Sequence, residues 1–325
     1  MTGVQTCALP ILIRVREYYE LWKSGRVNVT PDVRTVHETP STAVVDGDGC
    51  FGMVAGVRSM NLAVEKAAAT GTGWVAVRNS NHFGIAGYYA MMALGHDMVG
   101  IAVTNANPLV VPTFSVSRFL GTNPLAVAVP ALEEPPFVAD FATTPIARGK
   151  LAVSEKKGEK VPLGYVQDSE GLPSDDPGIL RRGGGMVTLG GDRLHGSHKG
   201  YCMTAVIDIF SSLFSGANFG PFVPPSVAYL PVPENQPGVG TGHFFGAMRV
   251  DAFRPADEFR AGMDHWIRTF RNAKPAKGEE RVLIPGDPER EAEERFRREG
   301  ITLVPAVVQD LKGIAAELGT DFVSE

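Results

Sequence analysis

Three short apolar runs follow one another in the first half of the chain: "MVGIAVTNA" (Met98–Ala106), "NPLAVAVP" (Asn123–Pro130) and "FVADFATT" (Phe137–Thr144), each bounded by polar residues or proline. Runs this short and this continuous suit strands covered on both faces better than strands with one wet face. Covered faces demand helices, and the sequence supplies them. "MVAGVRSMNLAVEKAAATG" (Met53–Gly71) repeats its apolar residues near the helical period and stops at a glycine. "GIAGYYAMMAL" (Gly84–Leu94) reads as a second helix, directly after a strand, "GWVAVRNS" (Gly73–Ser80). "GYCMTAVIDIFSSLFSGA" (Gly200–Ala217) is apolar on nearly every side and is therefore expected to be buried. Together these impose a mixed α/β class built on one central sheet.

The flanks add to that sheet and to its cover. "STAVVDGDG" (Ser41–Gly49) and "GHFFGAMRVDAF" (Gly242–Phe253) read as strands, and Arg14 to Lys23 as a helix ended by Ser24-Gly25. A helix from Pro255 carries proline at its first position and acids in its first turn. Two more are expected at Asp287–Glu299, stopped by Gly300, and at Pro305–Leu318; Lys156 to Gly200, rich in glycine, proline and charge, is expected to be mostly loop. At 325 residues the chain has length for a large core and for more than one domain. The expected organisation is a helical part from residues 12–75 and 255–325 around a central domain at 76–254.

Several partner classes are disfavoured. A net charge of −5 with scattered basic residues speaks against nucleic acid or an anionic membrane as the main partner. No apolar run reaches the roughly 20 residues needed to span a bilayer. Cys7, Cys50 and Cys202 lie far apart without CxxC spacing, which argues against a disulfide framework and for a reducing cytoplasm. The opening "MTGVQTCALPIL" lacks the parts of a signal peptide.

"GTGWVA" (Gly71–Ala76) fits a dinucleotide fingerprint in letters only, because it precedes its strand, whereas that turn must follow a strand and open a helix. "GGDRLHGSHKGY" is no Walker loop, yet its glycines, Lys199 and the helix opening at Gly200 are suited to an anion; the other reading is a flexible connector. His195 and His198 lack a metalloprotease pattern, and no metal is expected. His82 lies between a strand and a helix that Ser80 or Asn81 could cap. There an imidazole titrating near neutrality could exchange protons with a carbonyl or hydroxyl, or serve only the turn. Asp140, inside an apolar run, needs partners; it could bind ribose hydroxyls or merely cap a strand end.

Taken together, "RNSNHFGIAGYYA", "TNANPLVVPT", "GTNPLAVAVP", "DFATTPIARGK", "HKGYCMTAVIDIFSSLFSGANFG" and "RVLIPGDPE" resemble, in family order, the malate/L-lactate/ureidoglycolate dehydrogenase family, which is distinct from the ordinary lactate and malate dehydrogenases. The resemblance runs from about Leu12 to the C-terminus. It implies a nucleotide-binding fold that is not the Rossmann type, NAD or NADP as cofactor, and a small 2-oxo or 2-hydroxy acid as substrate. It also implies homodimers with the site near the subunit boundary. By motif position, His82 would be the acid/base residue. Asp140, Phe141, Ala142 and Thr143 would contact the cofactor, as would Lys199 with Gly200 and the "PGD" turn at Gly286 and Asp287, where the family usually has glutamate. Hydride would pass between nicotinamide C4 and substrate C2, with a positioned group supplying the proton.

The resemblance weakens at the start. The family carries helices and then "DSHG", followed by arginine and, four residues later, tyrosine. Arg14 and Tyr18 fit that tail as substrate-binding residues, Arg14 as a carboxylate clamp or else a surface ion pair. Proline stands at position 10, where the motif histidine would fall. Residues 1–11 are accordingly expected to be a foreign leader on a shortened chain, with turnover impaired. The competing function is a non-catalytic binding or regulatory paralogue that keeps the fold and dimer; a hydrolase using a metal at His195 and His198 is a third.

Overall fold

The computed structural model describes residues 12, 14–303 and 305–322, apart from the Lys156 side chain. The leader, with Cys7 and Pro10, falls outside them. A seven-stranded sheet forms the centre, in the order β1 (Arg34–Glu38), β2 (Thr42–Cys50), β3 (Thr72–Ser80), β10 (Thr241–Arg249), β4 (Met98–Thr104), β5 (Leu125–Val129), β6 (Phe137–Phe141). Only β2 and β3 run parallel; the other five pairings are antiparallel. The sheet is therefore mixed, and a doubly wound parallel architecture is ruled out. Strands β1 and β2 bond into the same sheet as the central strands, so it runs across residue 75.

Helix α2 (Gly52–Thr70) makes the parallel crossover and packs on β2, β3 and β10. Its buried face is mostly of small residues (Ala55, Gly56, Ser59, Ala63, Ala67) around Met60, which lets helix and sheet approach closely. Helix α3 (Ala86–Met92) continues that cover over β4 and β5. Between these helices and the sheet lie Val45, Val75, Val77, Tyr89 and Phe245, all nearly inaccessible. Burying a side chain the size of Phe245 is worth about 2–3 kcal/mol.

Helix α5 (Ser197–Ser212) covers the opposite face at β3, β4 and β10, and it corrects the sequence reading. It is not buried all round. Gly200, Thr204, Asp208, Ser211 and Ser212 face inward, whereas Tyr201, Met203, Val206, Ile209 and Phe210 lie exposed, with Leu213 and Phe214 just beyond. Composition alone could not separate an enclosed helix from one whose apolar side looks outward.

The expected loop at 156–200 is loop in large part, but it has its own core. Helix α4 (Arg148–Lys157) and short strands β7 (Val166–Gln167), β8 (Pro173–Ser174) and β9 (Gly185–Met186) enclose Val110, Leu151, Val166 and Met186. The strands are two residues each, too brief to leave a periodic signature.

Helices from both ends meet, as the sequence suggested. α1 (Val15–Lys23) and α8 (Pro305–Leu318) are joined by Arg16 and Lys23, which reach Glu317 at 2.8 and 3.0 Å. α6 (Ala256–Arg271) and α7 (Asp287–Glu299) lie along the β6 side, where Arg271 pairs with Asp287 at 3.2 Å. Among the described residues, no helix is long and apolar enough to cross a membrane.

Candidate active site

Strand β3 ends at Ser80, and the turn after it holds His82. Asn81 ties that turn to the end of β2, its Nδ2 donating to the carbonyls of Gly49 and Cys50 at 3.0 Å each. Gly84, at φ +83°, reverses the chain before α3; few other residues adopt that conformation without strain. The fixed turn presents the ring to α1. Tyr18 Oη lies 2.7 Å from His82 Nδ1, and the Gly84 N–H donates to the same nitrogen at 3.2 Å. Nδ1 is thus an acceptor, Tyr18 donates to it, and the neutral ring carries its hydrogen on Nε2.

The electrostatics differ from expectation. The His82 imidazole is pushed down to about 3, first by burial, then by the cations of Arg14 and Arg148 and by His243. It does not titrate near neutrality. Helix capping plays no part: α3 starts at Ala86, and neither Ser80 nor Asn81 caps it. Burial also pushes the Tyr18 hydroxyl up to about 12, against the opposing pull of Arg14. At pH 7 the pair is therefore a neutral tyrosine donating to a neutral imidazole.

Asp140 takes the capping position instead. It lies at the exposed end of edge strand β6, not within a buried one, and its Oδ2 accepts the Gly87 N–H at 2.8 Å. Loss of hydration raises this carboxyl, the Gly87 N–H works against the rise, and nearby Glu289 adds to it. Its Oδ1 makes no hydrogen bond among the described residues. Phe141 follows, 38% exposed. The Gly286 turn lies against the same strand, since the Val138 N–H donates to Pro285 O at 3.1 Å. Asp287 is otherwise engaged: it accepts the Ile284 N–H at 2.9 Å and pairs with Arg271 and Arg290. Burial alone would raise its carboxyl, but those partners hold it below the usual range.

The loops between these groups are laced together. Asn123 Oδ1 accepts the Ala106 N–H at 3.0 Å, and its Nδ2 donates to Thr204 O at 3.2 Å. Thr143, fully buried, donates its hydroxyl to Thr122 O at 3.0 Å. The Leu189 N–H donates to Thr143 O at 3.0 Å, and Gly200 packs so closely on Leu189 that a Cβ there would stand 2.2 Å from its carbonyl oxygen. Lys199 is exposed on the first turn of α5. No hydrogen bond or ion pair among the described residues joins His82 to Lys199 or Asp287; Asp140 approaches the His82 turn through Gly87, five residues on.

A small cleft of about 60 Å³, lined by His82, Asn105, Thr122, Ser226 and Thr241 among others, opens at the imidazole end. A larger hollow of about 260 Å³ lies between loops 111–116, 164–173 and 187–197, and neither His82 nor Asp140 lines it. Convergence of polar groups, not size, marks the site. His195 bonds to Asp192 at 2.7 Å, and no cluster of three or more potential ligands occurs among the described residues.

Two groups escaped the sequence reading. His243, fully buried in β10, places Nε2 2.8 Å from Ser80 Oγ and Nδ1 2.7 Å from Thr104 Oγ1, and its ring stacks on Phe83 at 4.7 Å. Burial pushes it down to about 3. Asp208, inside α5, accepts the Gly220 N–H at 3.1 Å and is pushed up to about 6 by burial. Each is a lone ionisable residue in an apolar run, and that was a usable signal because such a group needs partners to be buried.

A family model described as malate/L-lactate dehydrogenase matches residues 12–312. The malate dehydrogenase of Pyrococcus abyssi is 39% identical over 307 residues, covering 94% of this chain and 82% of its own length. The L-sulfolactate dehydrogenase of Methanocaldococcus jannaschii is 37% identical, with 95% and 85% covered. Among solved structures, malate dehydrogenase from Entamoeba histolytica superposes with a TM-score of 0.88 at 33% identity, covering 96% of this chain and 87% of that one.

Proposed function

The chain belongs to the malate/L-lactate dehydrogenase family, and from that membership we propose that it interconverts small 2-oxo and 2-hydroxy acids of the malate or sulfolactate type, with NAD or NADP as cofactor. The observation that carries the reading is the His82 turn. A neutral imidazole is oriented through Nδ1 by Tyr18 and Gly84, so Nε2 is left to serve a reacting oxygen.

The residues present fit a dinucleotide. Asp140 has an oxygen left over from its bond to Gly87, suited to a ribose hydroxyl, and Phe141 offers an exposed ring beside it. Ala142, Thr143 and Gly200 shape the loops, Lys199 supplies an exposed positive charge for phosphate, and Gly286 holds the far turn. Asp287 braces that turn through Arg271 and Arg290. When bound, the nicotinamide supplies or accepts the hydride at substrate C2, and the protein contributes orientation.

His82 handles the accompanying proton at the substrate oxygen. In reduction Nε2–H passes its proton to the substrate oxygen while the Tyr18 hydroxyl passes its own to Nδ1. The ring stays neutral, and the negative charge comes to rest on the Tyr18 oxygen, within reach of Arg14. Oxidation runs the same two transfers in reverse, starting from ionised Tyr18. Arg14 holds the carboxylate. Segments 12–75 and 255–325, whose helices flank the sheet, serve the substrate side, and 76–254 the cofactor.

A homodimer completes the reading. Helix α5 turns its large apolar residues outward and its small polar ones inward, the reverse of a helix that meets water. A second copy would cover that face.

The test is oxidation of NADH and NADPH against oxaloacetate, sulfopyruvate and pyruvate, with a His82→Asn variant alongside. The substitution is expected to cut kcat by about 10²–10⁴-fold and to leave dinucleotide affinity unchanged. Failure of the unsubstituted chain to oxidise either nucleotide with any of these acids would overturn the proposal.

A further inference from the structure

Arg148, the first residue of α4, takes no part in the contacts assigned so far. Its Nη2 lies 3.5 Å from Glu17 Oε1, while Arg14 Nη1 lies 3.6 Å from Glu17 Oε2. Two guanidinium groups from distant parts of the chain thus bracket a single carboxylate, one on each oxygen.

Neither contact is closed. A structural arginine–carboxylate bridge settles near 2.8 Å, commonly with two parallel hydrogen bonds. Here Arg14 Nη1 and Glu17 Oε2 are buried without any hydrogen-bond partner among the described residues. Arg148 adds only a long contact of 3.4 Å to Tyr229 Oη. Leaving buried charged groups half-paired is costly unless another partner takes their place.

The position matters as much as the geometry. Glu17 immediately precedes Tyr18, whose hydroxyl bonds to His82. Both Arg14 and Arg148 are close enough to depress the His82 imidazole. The two cations therefore belong to the surroundings of the reacting oxygen.

We propose that Arg148 binds the second anionic group of a dianionic 2-oxo acid, a carboxylate or sulfonate, while Arg14 holds the first carboxylate and Glu17 occupies the place of that second group until substrate arrives. This rests on the function proposed above and deepens it: Arg148 is the residue that separates dianionic acids from monoanionic ones such as pyruvate. Pyruvate ends in a methyl group and can give Arg148 nothing in exchange for Glu17.

The experiment is calorimetric binding of oxaloacetate and of pyruvate to the full chain, with the oxidised dinucleotide present so that no turnover occurs. Arg148→Gln is expected to weaken oxaloacetate binding by roughly 10- to 100-fold and to change pyruvate binding less than about 2-fold, with Arg148→Lys in between for oxaloacetate. Equal weakening of both acids, or of neither, would overturn the assignment while leaving the dehydrogenase reading in place. If the unsubstituted chain binds neither acid, that reading fails and this one with it.

Discussion

His243 makes acid stability a direct test of the site's foundations. In the folded chain its imidazole is held at about 3, while in the unfolded chain it titrates at 6.5. Between those values the unfolded state binds a proton that the folded state refuses. The stabilisation is therefore complete above pH 6.5 and is lost as pH falls toward 3. From pH 7 to pH 5 the loss is about 2 kcal/mol for one such group. His82, also pushed down to about 3, contributes a similar loss of about 2 kcal/mol. Asp208 acts in the other direction: its folded carboxyl keeps its proton up to about 6, against 3.8 unfolded, and returns about 1 kcal/mol over the same interval. The net expectation is a loss of about 3 kcal/mol. Urea unfolding at pH 7, 6 and 5, at one protein concentration, measures it. His243→Gln keeps groups able to bond to Ser80 and Thr104 but cannot titrate, so its loss over this interval should fall to about 1 kcal/mol, whatever its absolute stability. If parent and variant lose stability equally between pH 7 and 5, the buried neutral imidazole is wrong.

Tyr18→Phe removes the donor to His82 Nδ1 and should lower kcat about 5- to 10-fold with little change in dinucleotide affinity, as measured by steady-state kinetics beside fluorescence titration. Gly200→Ala forces a methyl group onto Leu189 O and should destabilise the chain by about 1–3 kcal/mol in thermal unfolding, weakening dinucleotide binding through the Thr143 loop. Val206→Asp with Ile209→Asp puts charge on the outward face of α5 and, on the homodimer proposed above, should shift sedimentation from dimer to monomer.

Much of the fold was legible because it rests on local signals. The β3 and β4 runs, the glycine stop after α2 and the proline start of α6 each carry their own periodicity or terminator. The second core was not, since its strands are two residues long and its contacts join Val110 to Met186 across the chain. At the site, His82 stood out as a polar residue after a strand and Asp140 as a carboxylate within an apolar run, although the structure puts Asp140 at an exposed strand end. His243 did not, because its partners Ser80 and Thr104 come from two other strands, and only sheet order brings them together. The same holds for Glu17, whose two arginines lie 3 and 131 residues away along the sequence. The outward apolar side of α5 was hidden for a different reason: hydropathy records how greasy a helix is, not which way it looks.

The clasp between α1 and α8 gives the tail of the polypeptide leverage over the imidazole. Glu317 grips Arg16 and Lys23 on the short segment that also bears Arg14 and Tyr18. A protease nicking the 300–303 link, or a bulky fusion that pries the final helix away, would free that segment to drift. On the function proposed above, turnover would then fall with Arg14, Tyr18 and His82 all still in place, which makes α8 a remote handle on the site.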